Sequence, residues 1–383
     1  MSLHSLFTHT IDEPSAPWRM QIPSEINPVF FPDAALGGHS PVGPRAVTLY
    51  RAVREYLSEH RVKLAVLLGY NDLARLLLLR WASGQGRLPM LLTGDSNVFT
   101  EGHVRGVKRL LKRCVVNYAV QHSAGLMPMG TCGRAFFRLY ADHDKPTFLF
   151  PYEPDYDRLQ TPEPQRDKLF ALKHGLDPTR KRLLYCGRLV PVKRVDVLLD
   201  AFAEIAARRP EWDVVIAGDG PLRLALEARV PVSLRNRVKW TGFLQTDETI
   251  ACYRNVDALV LPSEREPWAL VVNEAIACSL AVVATEVVGA AAELVDHGIN
   301  GLLVPPGSVS AMSAALLELT DDDRCDAMRR CAPMMLSRWR AKADPVHGLE
   351  QALVHFGVMK DSGERASLRS LVSGIGLSNR TGG

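Results

Sequence analysis

The second half of the chain alternates short apolar runs with amphipathic stretches. The runs are RLLYCG (182–187), WDVVIAG (212–218), VKWTGF (238–243), DALVLPS (257–263), LAVVAT (280–285) and GLLVPP (301–306). They are rich in Val and Leu and show little apolar–polar alternation, the pattern of parallel strands buried on both faces. Between them lie helical periods. Residues 195–209 place Val195, Leu198, Leu199, Phe202 and Ile205 on one face. Strand and helix repeated this often predict a doubly wound α/β sheet with right-handed crossovers. Ligands of such sheets gather beyond the carboxyl ends of the strands.

The first half is a weaker copy. Residues 63–70, 89–95, 125–130 and 147–152 read as strands, and 46–60 and 105–118 as helices. No clear strand and helix precede NPVFFPD, so the first strand–loop–helix unit reads as short or missing. The Pro- and acid-rich stretch 151–167 reads as a linker. The expected division is an N-terminal domain over 1–155, a linker over 156–180, a second domain over 181–320, C-terminal helices over 321–360 and a polar, disordered tail over 361–383.

Composition narrows the class. The chain has 383 residues, 47% hydrophobic and 23% charged, with a net charge of +4. That is room for two domains and argues against general disorder. The small positive balance does not by itself point to nucleic acid. Seven scattered cysteines without a C-x-x-C argue against a disulfide framework or a structural zinc site, and favour a reducing compartment. The opening residues lack the basic start and apolar core of a secretion signal. The expected location is cytoplasmic.

Three stretches could carry chemistry. In PSEREPWALVVNEAIACS (262–279) a strand gives way to a loop and then to helical spacing. A helix start at the ligand edge of a sheet presents unpaired amides and a positive dipole end to a phosphate. Glu274 would lie about one turn into that helix and tilt back toward the ligand. A carboxylate there can accept both hydroxyls of a ribose, and Glu266 on the loop can accept those of a second sugar. In YCGRLVPVKRVD (185–196), Gly187 permits close backbone approach, and Arg188 and Lys193 offer a fork and a compact charge for a diphosphate. Arg194 reads as a surface residue. In IAGDGP (216–221), Gly218 opens a tight turn, but Arg223 stands where a third glycine of G-x-G-x-x-G would fall. That disfavours a nicotinamide enzyme.

Taken in order and spacing, GRLVPVKRVDVLL, IAGDGP, VKWTGFL and PSEREPWALVVNEAIAC resemble the donor half of retaining glycosyltransferase family 4, over roughly residues 180–305. The resemblance implies the GT-B fold, with two Rossmann-like domains facing across a cleft, here with a shortened N-terminal one. It implies that Arg188 and Lys193 hold the donor diphosphate, Glu266 the donor sugar and Glu274 the ribose. The backbone of Trp268, Ala269 and Leu270 would meet the phosphates, and Phe243 and Leu244 would lie near the base. It also implies retention without an essential metal and without a cofactor, the nucleoside diphosphate sugar being a co-substrate. Family members usually carry Gly where Ala269 stands, and many carry Gly where Ser279 stands.

The acceptor side is less typical. Asp95 and Ser96 follow a central strand, and His103 lies a few residues on. All three are candidates for an acceptor hydroxyl, borne by a glycan, a lipid-linked sugar or a small molecule. Their plainer reading is a capped turn and a surface histidine. Asp155 and Asp157 form an Asp-x-Asp in the linker, where a metal site is not expected. Residues 102–116 place Val104, Val107 and Leu111 on a stripe amid Arg105, Lys108, Arg109, Lys112 and Arg113. A core-packed helix with a solvated basic face is the main expectation; peripheral contact with anionic lipid at the inner membrane face is the alternative. The expected activity is transfer of a hexose-type sugar to a hydroxyl. The alternative is a protein that binds nucleotide sugars with little transfer.

Overall fold

The computed structural model describes residues 4–7, 27–31, 43–86, 88–101, 106–141 and 144–360. His103, Val104, Arg105 and the 361–383 tail lie outside them. The chain divides into two units, Met1–Pro151 with Ala343–Gly383, and Tyr152–Lys342.

The first unit contains β1 (His4–Phe7), β2 (Asn27–Phe30), α1 (Pro44–Glu59), β3 (Ala65–Leu68), α2 (Leu73–Trp81), β4 (Met90–Gly94), α3 (Val98–Glu101), α4 (Gly106–His122), β5 (Gly125–Pro128) and α5 (Thr131–Arg138). β3, β4 and β5 form a parallel sheet with β4 central. Its core joins Leu49 and Val53 of α1, Leu78 and Leu79 of α2, and Val116, Ala119 and Val120 of α4. Residues 147–152 join only by one bridge, Leu126 to Thr147, with ladder bonds Phe148 N to Leu126 O and Phe150 N to Pro128 O, both 2.9 Å. A strand does precede Asn27, against expectation: β1 pairs in parallel with β2.

The second unit runs α6 (Tyr156–Gln160), α7 (Pro164–Lys173), β6 (Lys181–Cys186), α8 (Val195–Ile205), β7 (Trp212–Ala217), α9 (Arg223–Arg229), β8 (Val238–Gly242), α10 (Thr246–Arg254), β9 (Ala258–Leu261), α11 (Leu270–Ala277), β10 (Ala281–Thr285), α12 (Ala291–Leu294), β11 (Gly301–Val304), α13 (Val309–Leu319) and α14 (Asp322–Ala343). Its six strands lie in the order β11-β10-β9-β6-β7-β8, all parallel. Every expected strand is present. The central ones are buried on both faces, β7 and β10 along their whole length, which is why their sequences read as unbroken apolar runs. On α8, Val195, Leu198, Leu199, Phe202 and Ile205 are all buried, as their spacing predicts.

Two expected boundaries are corrected. Residues 156–180 are not a linker but part of the second unit. Tyr156 and Leu159 are buried there. Asn273 donates to the Tyr156 hydroxyl at 3.0 Å, and Arg254 donates to the carbonyl of Arg158 at 2.9 Å. Nor do residues 321–360 form a separate block. α14 belongs to the second unit through Lys342, and α15 (Pro345–His355) belongs to the first. Gly348 packs so tightly on the Leu149 carbonyl that a Cβ would come within 1.9 Å of it.

Candidate functional site

In the second unit the strand order reverses between β6 and β9. Open α/β sheets bind ligands beyond the carboxyl ends of the strands at such a switch point. The loop after β6 carries Gly187, Arg188 and Lys193; the loop after β9 carries Glu266 to Ala269. A backbone bond ties them, Glu264 N to Val192 O at 2.9 Å. A side-chain bond ties them again: Lys193 Nζ is ion-paired with Glu266 Oε2. Glu266 is 8% exposed. Its carbonyl accepts from Gly289 N at 3.2 Å, and Val288 pairs with it in an isolated bridge. A nearly buried carboxylate facing an ammonium on a neighbouring loop keeps both charges in place at the strand ends.

Glu274, about one turn into α11, is partly buried. Its Oε2 accepts from the Tyr253 hydroxyl at 2.7 Å. Burial raises the Glu274 carboxyl above the usual range, against the pull of that hydrogen bond. Tyr253 is fully buried on α10, and no spacing rule in the sequence points to it. Cys186, the last residue of β6, links the two halves of the site. Its thiol is pushed up to about 12, chiefly by burial and next by the Glu274 charge, while Lys193 pulls it down. Lys193 and Glu274 therefore both lie within electrostatic reach of the end of β6.

α11 starts at Leu270 with Ala269 as its N-cap, at φ 75° and ψ 78°. This left-handed backbone normally calls for glycine. Ser279 just after the helix has φ 57°. These are the two positions where the resemblance expects glycine, so the geometry is kept while the residues bear its strain. Trp268 contributes backbone only: its ring is 4% exposed and lies 5.5 Å from that of Trp339, and its carbonyl accepts from Ala290 N at 2.7 Å. Leu270 supplies the first helical amide.

The glycines have a packing reason. A Cβ on Gly218 would stand 1.9 Å from the Gly187 carbonyl oxygen. Gly187 N donates to Ala217 O at 2.9 Å, and Gly218 N to Gly242 O at 2.8 Å, so the ends of β6, β7 and β8 form one continuous edge. Phe243, 41% exposed, and Leu244, buried, follow on that edge beyond Gly242. The Arg188 side chain is exposed and has no hydrogen-bond or ion-pair partner among the described residues. Arg194 is a structural residue: it holds a left-handed backbone and grips Asp196 at 3.0 Å. Asp155 is a helix cap, accepting from Arg158 N at 3.0 Å.

The acceptor-side candidates lie in the first unit. Asp95 and Ser96 follow β4, Asp95 exposed and Ser96 half-buried. Ser96 Oγ is 3.0 Å from the Tyr70 hydroxyl, a link between the ends of β3 and β4. Nothing among the described residues joins them to a further catalytic group.

The description "Glycosyl transferases group 1" matches residues 180–322. Alpha-D-kanosaminyltransferase of Streptomyces kanamyceticus is 35% identical over 151 residues, covering 39% of this chain and 39% of its own. D-inositol 3-phosphate glycosyltransferase of Corynebacterium jeikeium is 32% identical over 217 residues, covering 54% of this chain and 51% of its own. The chain thus spans about half or less of the length of these relatives. Among solved structures, Anabaena HepE in complex with UDP and glucose superposes with a TM-score of 0.67 at 20% identity, over 88% of this chain and 87% of that one. Sucrose-phosphate synthase from Thermosynechococcus elongatus reaches 0.71 at 19% identity, over 92% and 89%. Those likenesses extend along both units and concern the fold. Residues 180–322 form a domain of the glycosyl transferases group 1 type, in a chain with the GT-B fold.

Proposed function

We propose that this protein is a retaining, metal-independent glycosyltransferase that moves a hexose-type sugar from a nucleoside diphosphate to a hydroxyl acceptor. The observation that carries the reading is the ion pair of Lys193 with Glu266, which joins the loops after β6 and β9, with Glu274 held by Tyr253 one turn into α11. Arg188, Lys193 and the α11 amides form a cationic seat for a pyrophosphate. Glu274, held by Tyr253 through one oxygen, keeps its other oxygen for ribose hydroxyls. Glu266 accepts hydroxyls of the donor sugar and keeps Lys193 extended until the diphosphate arrives. The donor's C1–O bond breaks as the acceptor oxygen bonds to C1 from the same face. The acceptor's proton passes to the departing phosphate oxygen. Developing charge on the diphosphate falls on Arg188 and Lys193, the task a metal performs elsewhere.

HepE, a fold neighbour, has been solved with UDP-glucose, which makes uridine and glucose the first donor to try. Seven scattered cysteines without a C-x-x-C support a reducing, cytoplasmic setting. A thermal-shift screen of UDP-, GDP- and ADP-sugars, followed by transfer assays with and without chelator, tests the reading. One nucleotide should raise the midpoint selectively, by coupling to folding, and chelator should leave transfer unchanged. A flat response to all donors contradicts it. A second reading, donor binding with little transfer, draws on Ala269, whose methyl group stands at the helix start where the phosphates would lie. Binding without transfer or hydrolysis over an acceptor panel would establish it.

A further inference from the structure

The loop after β6 carries an exposed arginine on a backbone fixed by hydrogen bonds. The Arg188 side chain is exposed, but its neighbours in the chain are pinned. Gly187 N donates to Ala217 O and Leu189 N to Asp219 O, both at 2.9 Å, and Leu222 N donates to Leu189 O at 3.1 Å. The Leu189 side chain is fully buried. These bonds splice the loop to the one that follows β7. The Arg188 carbonyl is held as well, by the Tyr185 hydroxyl at 2.8 Å and by Val190 N at 3.1 Å.

Tyr185 lies on β6 and is fully buried. Phenylalanine would fill almost the same space, and a buried hydroxyl is costly unless it is bonded. The hydroxyl finds its partner by reaching past Gly187. That glycine has φ 153°, and a Cβ on it would stand 3.1 Å from the Tyr185 oxygen. The glycine expected to let a ligand approach therefore also makes room for this hydroxyl. Burial pushes the phenol up, so it stays an O–H donor. The consequence falls on Arg188. A guanidinium on a loose loop must order backbone and side chain together when it grips an anion; on a fixed peptide it orders the side chain alone.

We propose that Tyr185 is a positioning residue for the donor diphosphate: its hydroxyl fixes the Arg188 peptide, so the guanidinium is presented at the end of β6 without loop reorganisation. The inference rests on the proposed function, which makes Arg188 a diphosphate ligand. The test is a double-mutant cycle on the full chain, read by calorimetric titration with UDP, GDP and ADP. Tyr185→Phe should weaken the nucleotide that binds about fivefold. In the Arg188→Ala background, where Lys193 and the α11 amides remain, the same change should cost less than about 1.5-fold, because the hydroxyl acts through the arginine. A hydroxyl that merely supports the fold would cost the same in both backgrounds. Hydrogen exchange of the free protein gives a second readout: the Leu189 and Val190 amides should exchange at least about fivefold faster in Tyr185→Phe, with the amides of β6 unchanged. Circular dichroism verifies that each variant is folded. Wild-type binding that Tyr185→Phe leaves intact, or an equal loss in both backgrounds, overturns this proposal alone. A wild type that binds none of the three nucleotides overturns the donor-site reading and this inference together.

Discussion

The two units end their central strands in different ways. In the second, the loops beyond β6 and β9 hold one another, Lys193 with Glu266 and Glu264 with Val192, and Tyr253 of α10 holds Glu274 of α11. In the first, the ends of β3 and β4 are linked by a neutral hydrogen bond, Tyr70 with Ser96, and Thr93 within β4 donates to the Met127 carbonyl of β5. A small, doubly charged ligand needs fixed charges and fixed amides, and interlocked side chains fix the charges. Under the proposed function, donor recognition is preorganised within the second unit.

The sharpest way to break the comparison is at the interlock. Lys193→Ala and Glu274→Ala should each lower kcat/KM for transfer by about 10²- to 10³-fold, the scale for removing one preorganised charge stabiliser. Ser96→Ala, the counterpart in the first unit, should change donor affinity by less than about twofold and cost roughly 0.5–1.5 kcal/mol of stability. Steady-state kinetics and calorimetry on the three variants decide it. Equal effects in both units would erase the distinction.

Tyr253→Phe probes the same interlock more gently. Removal of one hydrogen bond to a carboxylate should weaken donor binding by about tenfold. Because the hydroxyl acts through Glu274, the loss should nearly vanish for a 2′-deoxy, 3′-deoxy donor nucleotide. A uniform loss would mark a general packing defect instead.

Glu274 also gives a pH dependence. Burial raises its carboxyl above the usual carboxylate range in the folded state, so over that interval the native state keeps a proton that the unfolded chain releases. Its contribution to stability is full below the unfolded value and is lost as pH rises through the raised folded one. Donor affinity runs the other way, since only the carboxylate accepts two hydroxyls. Denaturant titrations and nucleotide binding across that window should show opposite slopes, both flattened in Glu274→Gln.

The smallest effect concerns the two left-handed residues. Ala269→Gly and Ser279→Gly relieve a strain of about 1–2 kcal/mol and add chain entropy to the unfolded state. Each should therefore stabilise the protein by roughly 0.5–1 kcal/mol in denaturant unfolding. Ala269→Gly should also not weaken nucleotide binding.

Legibility in the sequence followed the range of the interactions. The strands of the second unit were readable because burial on both faces writes itself as a local apolar run. The places of Arg188, Lys193, Glu266 and Glu274 beside strand ends or in a helix start were readable because the pattern locates those ends; the roles given to them rest on the proposed function. Tyr253 was not: it reaches Glu274 from another helix, and a tyrosine on an apolar face has no local signature. The stretch 156–180 was misread because prolines and acids that suggest a linker are also helix-start residues. Pro164 opens α7 and Asp155 caps α6. On α4, periodicity revealed an apolar stripe without telling which of two opposite stripes the core would take: Val116, Ala119 and Val120 are buried, whereas Val107 and Leu111, expected in the core, are exposed.

The most direct measurement is calorimetric titration of the full chain with UDP, GDP and ADP, repeated on Lys193→Ala and Glu274→Ala. The account predicts one saturable nucleotide, weakened at least about tenfold by either substitution, about 1.4 kcal/mol or more. Binding of none of the three, or undiminished binding in both variants, would contradict a diphosphate seat at the end of β6.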